Sequence, residues 1–457
     1  VKKFLQKNSN FKLKVLDDSI QGRIGSSLTF DSCNHLISTI ASYLADLNVQ
    51  NIVLGFSNNN WTKEFSLKCI KPELESYGFD LTVPERPTCL VEVSWLISQS
   101  NRKSSGIYIS NSLKENGELT ILVLESSGEV IAGKPLLNSL KYASMQKIVN
   151  DAESINVEKI ETVSTDLYSK YLIDKKLVQT TKAPTMLVNC MFGATEYLFT
   201  SSEVIKDITL YDKESDPLRL VNYASNPVGQ FLRCNNKSLS SGGSFFIGFD
   251  ESGERVGVYD INSSIELSSD SVLLLILLSL KNLKKLGEIS ISNFHSIKIN
   301  KYAKALGFKI NNKAINPVLK SDGFGNIVFS GNKVPCPIQT SYYLTRLHPD
   351  AGRIAPLSDL IDSEYLTHKV KGSSKVLGIY FPEESFNIFV NCLEKQGIVF
   401  KKKEDSLQAS LGKEGRIVIK SDPRLPQRHL KIDCKSEESV LKYLKVIETC
   451  ITKSLSY

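Results

Sequence analysis

The chain has 457 residues, too many for one ordinary domain and enough for three or four at roughly 100–200 residues each. A hydrophobic share of 41% and a charged share of 23% exclude a disordered chain and supply apolar material for several cores. The net charge of +7 comes from scattered lysines such as Lys12, Lys147, Lys284 and Lys401, with no basic stripe interleaved with aromatics, so a nucleic-acid partner is not expected.

From the N-terminus, the stretch Val1 to Lys14 lacks the long apolar core of a secretory signal. Leu28-Thr29 opens a predicted helix through Asp46, with Leu36, Ile37, Ile40 and Leu44 at helical spacing. A strand over 51–55, a helix around 64–77, a short run from Cys89, and strands over 106–110 and 119–125 follow. A new unit opens near Lys141 with a helix over 144–151. Strands over 185–190 and 244–249 lead into Met191-Phe-Gly193 and Asp250-Glu-Ser-Gly-Glu-Arg255. Next come an apolar helix from Ser271, a strand over 288–292, a helix ending at Gly307, and a glycine-rich turn at 321–325 before a strand over 327–330. The polar hinge 371–375 sets off a last α+β unit closed by a helix over 437–455. Strands alternating with amphipathic helices make this an α/β chain with mainly parallel connections.

The nine cysteines include no CxxC pair and their number is odd, which points to reduced, buried thiols. The five histidines are dispersed, giving no zinc-ligand spacing. The apolar run Val272 to Leu278 is far short of the roughly 20 residues that span a bilayer. A cytoplasmic protein without a membrane partner is the expectation.

Four loops carry the chemistry. Gly106-Ile-Tyr-Ile-Ser-Asn-Ser112 is a strand running into a serine. Phe249-Asp-Glu-Ser-Gly-Glu-Arg255 is a charged turn after a strand, with Asp250, Ser252 and Glu254 at alternate positions. Ser321-Asp-Gly-Phe-Gly-Asn326 is a turn with an acidic residue. Arg416-Ile-Val-Ile-Lys-Ser-Asp-Pro-Arg-Leu-Pro426 is a strand and loop carrying Lys420, Ser421 and Arg424.

In this order the four resemble landmarks of the α-D-phosphohexomutases, the family of phosphoglucomutase, phosphomannomutase and phosphoglucosamine mutase. The first resembles Thr-Ala-Ser-His-Asn-Pro, the second Phe-Asp-Gly-Asp-Ala-Asp-Arg, the third Gly-Glu-x-Ser-Gly-His and the fourth Arg-Pro-Ser-Gly-Thr-Glu-Pro. Gln21-Gly-Arg-Ile-Gly25, Gly55-Phe-Ser-Asn-Asn59, Met191-Phe-Gly193, Asn226-Pro227 and Pro356-Leu-Ser-Asp-Leu360 look like lesser signposts. The resemblance implies three similar α/β domains and a C-terminal α+β domain around a central cleft. The corresponding segments are 1–140 with the nucleophile loop, 141–258 with the metal loop, 259–371 with the sugar-recognition loop, and 372–457 with the phosphate-binding loop. It further implies Ser112 as the phosphoryl carrier, Asp250, Ser252 and Glu254 as Mg²⁺ ligands, and Arg255 beside the serine phosphate. Asp322 would read the sugar, while Lys420, Ser421 and Arg424 would grip a phosphate. The activator would be a hexose 1,6-bisphosphate.

Each loop departs from the family pattern. Leu113 and Lys114 stand where the family has His and Asn, Ser252 and Glu254 replace aspartates, Phe324 replaces Ser and Asn326 replaces His. Asp422 and Pro423 replace Ser and Gly, and Asp422 repels a dianion while Pro423 has no amide to donate. The expectation is a divergent member that is weakly active or non-catalytic, with a binding, regulatory or structural role toward a phosphosugar or a protein partner. The alternative is an active mutase moving a phosphoryl group between the 1 and 6 positions of a hexose phosphate.

Overall fold

The structure, a computed structural model, describes residues 13–111, 117–142, 161–163, 167–182, 186–191, 193–211, 245–347, 356–380, 383–403, 406–425 and 427–455. The backbone groups into two compact units. The first takes Val1–Glu266 and Asn326–Ile354, and the second Leu267–Gly325 and Ala355–Tyr457. The expected helix over 144–151 and the Asn226-Pro227 signpost lie outside the described residues. Among the described residues no helix is long and apolar enough to cross a membrane.

The first unit begins with a seven-stranded sheet centred on Asn51–Phe56 and Ser104–Asn111, which run parallel. Both strands are buried along their whole length, as expected for runs rich in Ile, Val and Leu between covering helices. The expected helix from Thr29 is present as Phe30–Asp46. Thr29 caps it: its hydroxyl accepts from the Ser32 amide at 3.3 Å, and its own amide donates to Ser32 Oγ at 2.8 Å. The apolar stripe Cys33, Leu36, Ile37, Ile40 and Leu44 then packs into the core with Ile52, Leu54, Ile107 and Ile109. The segment expected as one helix over 64–77 is three pieces, α over Asn60–Phe65, π over Ser66–Ile70 and α over Lys71–Ser76. The run from Cys89 is a helix, Leu90–Gln99, whose residues Leu90 to Ile97 are all buried.

A second sheet of this unit places Thr209–Tyr211, Met186–Asn189, Phe245–Phe249 and Val256–Asp260 side by side. The last two pair antiparallel from Phe245–Asp260 to Phe249–Val256, so residues 250–255 form the tip of a hairpin. Gly193 lies against this tip. A Cβ built on it would sit 2.5 Å from the Glu251 carbonyl oxygen and 2.7 Å from Glu251 Cα, both backbone atoms that cannot swing aside. Gly193→Ala is therefore expected to destabilise the protein by about 1–3 kcal/mol through overpacking. A urea melt with an unchanged midpoint would show that the contact is absent.

The second unit carries two sheets. Glu288–Ile291 pairs parallel with both Lys309–Ile310 and Leu319–Ser321. The apolar helix expected from Ser271 is Ser269–Asn282, capped by Ser268, whose hydroxyl accepts the Ser271 amide at 3.2 Å. The C-terminal sheet is antiparallel throughout, in the order Ser373–Ile379, Arg428–Cys434, Gly415–Ser421, Ser406–Ser410, Phe400–Lys403. The helix expected over 437–455 is Glu437–Leu455. It lies on this sheet, with Val440 and Ile447 meeting Ile417, Ile419, Leu430 and Ile432 in one core.

Candidate functional site

Two loops hold most of the residues singled out above, and each is a hairpin tip whose leading aspartate folds back onto its own backbone. In the first unit, strand Phe245–Phe249 delivers Asp250 into the tip. The tip is closed by the Asp250 amide on the Arg255 carbonyl at 3.2 Å and the Gly253 amide on the Asp250 carbonyl at 2.9 Å. Gly253 takes φ +76°, a conformation that favours glycine. Asp250 Oδ1 accepts the Glu254 amide at 2.7 Å. Ser252 Oγ lies 3.2 Å from Asp250 Oδ1 and 3.0 Å from Glu254 Oε2, and all three side chains are buried. Burial first and Glu254 second push the Asp250 carboxyl up to about 6. Arg255 is buried too, and its backbone bridges to Asn326.

The resemblance implies a Mg²⁺ at this tip. A Mg²⁺ site wants carboxylate and water oxygens in tight octahedral array. Here a hydroxyl lies hydrogen-bonded between the two carboxylates, and one Asp250 oxygen is already engaged by an amide. Binding Mg²⁺ at this tip would require the Ser252 hydroxyl to give up its hydrogen bonds to the two carboxylates.

Within the tip stands a further buried acid that the sequence pattern does not single out. Glu251 is buried, accepts a hydrogen bond from Ser57 Oγ and accepts the Asn111 side-chain amide at 3.2 Å. Burial pushes its carboxyl up to about 7, against the lowering effect of those two donors. Asn111 ends the strand that leads to Ser112, and Ser112 itself lies outside the described residues.

In the second unit, strands Gly415–Ser421 and Arg428–Cys434 pair in register from Gly415–Cys434 to Ser421–Arg428, leaving 422–427 as their tip. The Asp422 amide donates to the Gln427 carbonyl at 2.9 Å. Asp422 Oδ1 accepts the amides of Arg424 at 2.8 Å and Leu425 at 3.0 Å, while its Oδ2 faces His429 Nε2 at 3.2 Å. Lys420 donates to Ser292 Oγ at 3.1 Å. Its ammonium lies 5.5 Å from the centre of the Phe324 ring. That ring stacks on Phe294 with centroids 4.9 Å apart and meets His429 at 5.0 Å. Asp322 turns inward and accepts the Phe324 amide at 2.7 Å. Ser421 is exposed at the strand end. Lys420, Asp422, Arg424 and Phe324 thus gather within one unit, and the geometry adds Ser292, Phe294 and His429.

Solved structures resemble the chain over nearly all of its length, three of them as follows. A protein of Thermus thermophilus assigned as a phosphomannomutase aligns with a TM-score of 0.75 at 13% identity, over 97% of this chain and 100% of that one. A phosphoglucomutase/phosphomannomutase family protein of Burkholderia thailandensis gives 0.72 at 14%, over 96% and 97%. Parafusin, a phosphoglucomutase of Paramecium, gives 0.70 at 11%, over 95% and 94%. No protein-family model and no curated protein sequence matches the chain. At these identities the likeness establishes the fold: this is a multi-domain α/β chain with the phosphohexomutase fold.

Proposed function

We propose that this chain is a phosphohexomutase-fold protein that has left phosphosugar mutation and acts by binding, in a regulatory or structural role. The observation that carries this reading is the self-occupied tip 422–427. Amides that could close around phosphate oxygens are taken by the carboxylate of Asp422. That carboxylate also sets a negative charge where a dianion would have to enter. Two further features agree. Ser252 joins the acidic pair through hydrogen bonds. The Phe324 ring, packed on Phe294, stands where the resembling motif reads sugar hydroxyls. The finer division into segments 1–140, 141–258, 259–371 and 372–457 belongs to the same proposal.

The rival reading is an active mutase, favoured by the retained Asp250 and Arg255 and by a carboxylate kept at Glu254. Ser112 would then carry the phosphoryl group, Asp322 would orient the sugar, and Lys420, Ser421 and Arg424 would hold its distal phosphate. Mg²⁺, if bound, would neutralise charge on the transferring group.

Loss of one preorganised electrostatic donor commonly slows an enzyme by about 10²–10³, so several departures together should leave no turnover above background. The test is a coupled assay with glucose, mannose and glucosamine phosphates, Mg²⁺ and a hexose 1,6-bisphosphate, joined to intact-mass analysis for phosphate on Ser112. Turnover that disappears in Ser112→Ala would reject the proposal in favour of the rival.

A further inference from the structure

The second unit contains a hydrogen-bonded relay that neither reading uses. Asp270, in the first turn of helix Ser269–Asn282, has its Oδ1 2.7 Å from His295 Nδ1. His295 Nε2 lies 2.8 Å from Ser321 Oγ. The other Asp270 oxygen accepts Lys431 Nζ at 2.6 Å, and the Ser296 amide reaches the same carboxylate at 3.3 Å. The imidazole is pinned through its own backbone as well: its carbonyl accepts Arg416 Nη2 at 2.6 Å, and its amide donates to the Ser292 carbonyl at 3.1 Å.

The direction of each bond follows from charge. Burial works to raise the Asp270 carboxyl, but Lys431 and His295 overcome it and hold the group well below the usual carboxylate range. An ionised carboxylate only accepts, so Nδ1 carries a hydrogen toward it, and in the neutral ring Nε2 is then the acceptor for the Ser321 hydroxyl. Ser321 closes strand Leu319–Ser321, just before a turn in which Gly323 takes φ +89°. The ring of His295 is fully buried, whereas Ser321 keeps 7% of its surface. In the resembling motif this position is glycine, so the hydroxyl is an addition of this chain.

We propose that Ser321, activated by His295 and oriented through Asp270, is the nucleophile of an acyl-transfer site that hydrolyses carboxylic esters. Ser321 Oγ bonds to the ester carbonyl carbon as its proton passes to His295 Nε2. The bond to the alcohol oxygen then breaks, and the alcohol leaves with that proton. Water, deprotonated by the same nitrogen, adds to the acyl-serine, and the carboxylic acid departs as the proton returns to Oγ. No metal or redox partner enters the balance.

The test treats the full-length protein with an alkyl fluorophosphonate and maps the adduct by tandem mass spectrometry. Fluoride is displaced from phosphorus by a serine activated in this way. The expected result is an adduct on Ser321 in the wild-type protein, absent in Ser321→Ala and formed about 10²-fold more slowly in His295→Gln. Hydrolysis of p-nitrophenyl acetate should fall in parallel. Wild-type protein whose circular dichroism is that of a folded chain, yet which carries no adduct on Ser321 at saturating reagent, overturns the proposal. An adduct only on other serines overturns it equally.

Discussion

Lys431→Met is expected to destabilise the second unit by up to about 3–5 kcal/mol, because it removes the ammonium that neutralises the buried Asp270 carboxylate. Both groups are buried and 2.6 Å apart. An isolated buried charge retains the full penalty of desolvation, whereas the intact pair largely offsets it. His295 and the Ser296 amide remain as partners, so the carboxylate is weakened in support rather than abandoned. Asp270→Asn in the same background should restore part of the loss, since a neutral amide needs no counter-ion. The pH dependence has a definite sign. The folded carboxyl is depressed, so the stability it brings is present above the unfolded value near 3.8 and fades as pH falls below it. Urea melts of the wild type, both single variants and the double variant measure this cycle. A loss below about 1 kcal/mol, the level of an exposed ion pair, would mean that the pair is not the buried brace described here.

Glu251 should show the opposite pH dependence. Its carboxyl is raised by burial from 4.5 to about 7, so the folded state holds a proton that the unfolded state releases earlier. Stability is then fullest below about pH 4.5 and is lost as pH climbs through 7, by about 3 kcal/mol in all. Asp250, raised in the same direction, adds to the slope. Glu251→Gln keeps an oxygen for Ser57 and Asn111 but cannot ionise. The variant should match the wild type at pH 4 and exceed it at pH 8. Equal urea midpoints for the two proteins at pH 8 would rule out an ionising buried carboxyl at this position.

Much of the architecture can be read from local pattern, because a helix with one wet face writes its period into the chain. Helix Phe30–Asp46 is of this kind, with an apolar stripe and a Thr29 cap. Leu90–Gln99 is not: buried nearly all round and started by Cys89, it lacks both the stripe and the usual hydroxyl cap, so its residues read only as an apolar run. The candidate loops divide similarly. Their position after strands is visible in the sequence, as are Ser252, Phe324 and Asp422 as departures from the resembling motifs. What Asp422 does is not visible. Charge alone marks it as repelling phosphate, while the geometry shows its oxygen capping the amides of Arg424 and Leu425. The Asp270–Lys431 contact joins residues 161 apart, and no spacing rule reaches across that interval.

The division of the backbone has a consequence for how the molecule is made. The chain leaves the first unit after Glu266, returns for Asn326–Ile354, and leaves again. A ribosome must therefore emit the opening part of the second unit before the first has received its closing helix, Pro337–Thr345. Until then Tyr168, which contacts Asn332 and Cys336 in the finished fold, lacks those partners. No single proteolytic cut can release either unit whole, and shortened versions ending near residue 266 would leave the Tyr168 hydroxyl without Asn332 and Cys336.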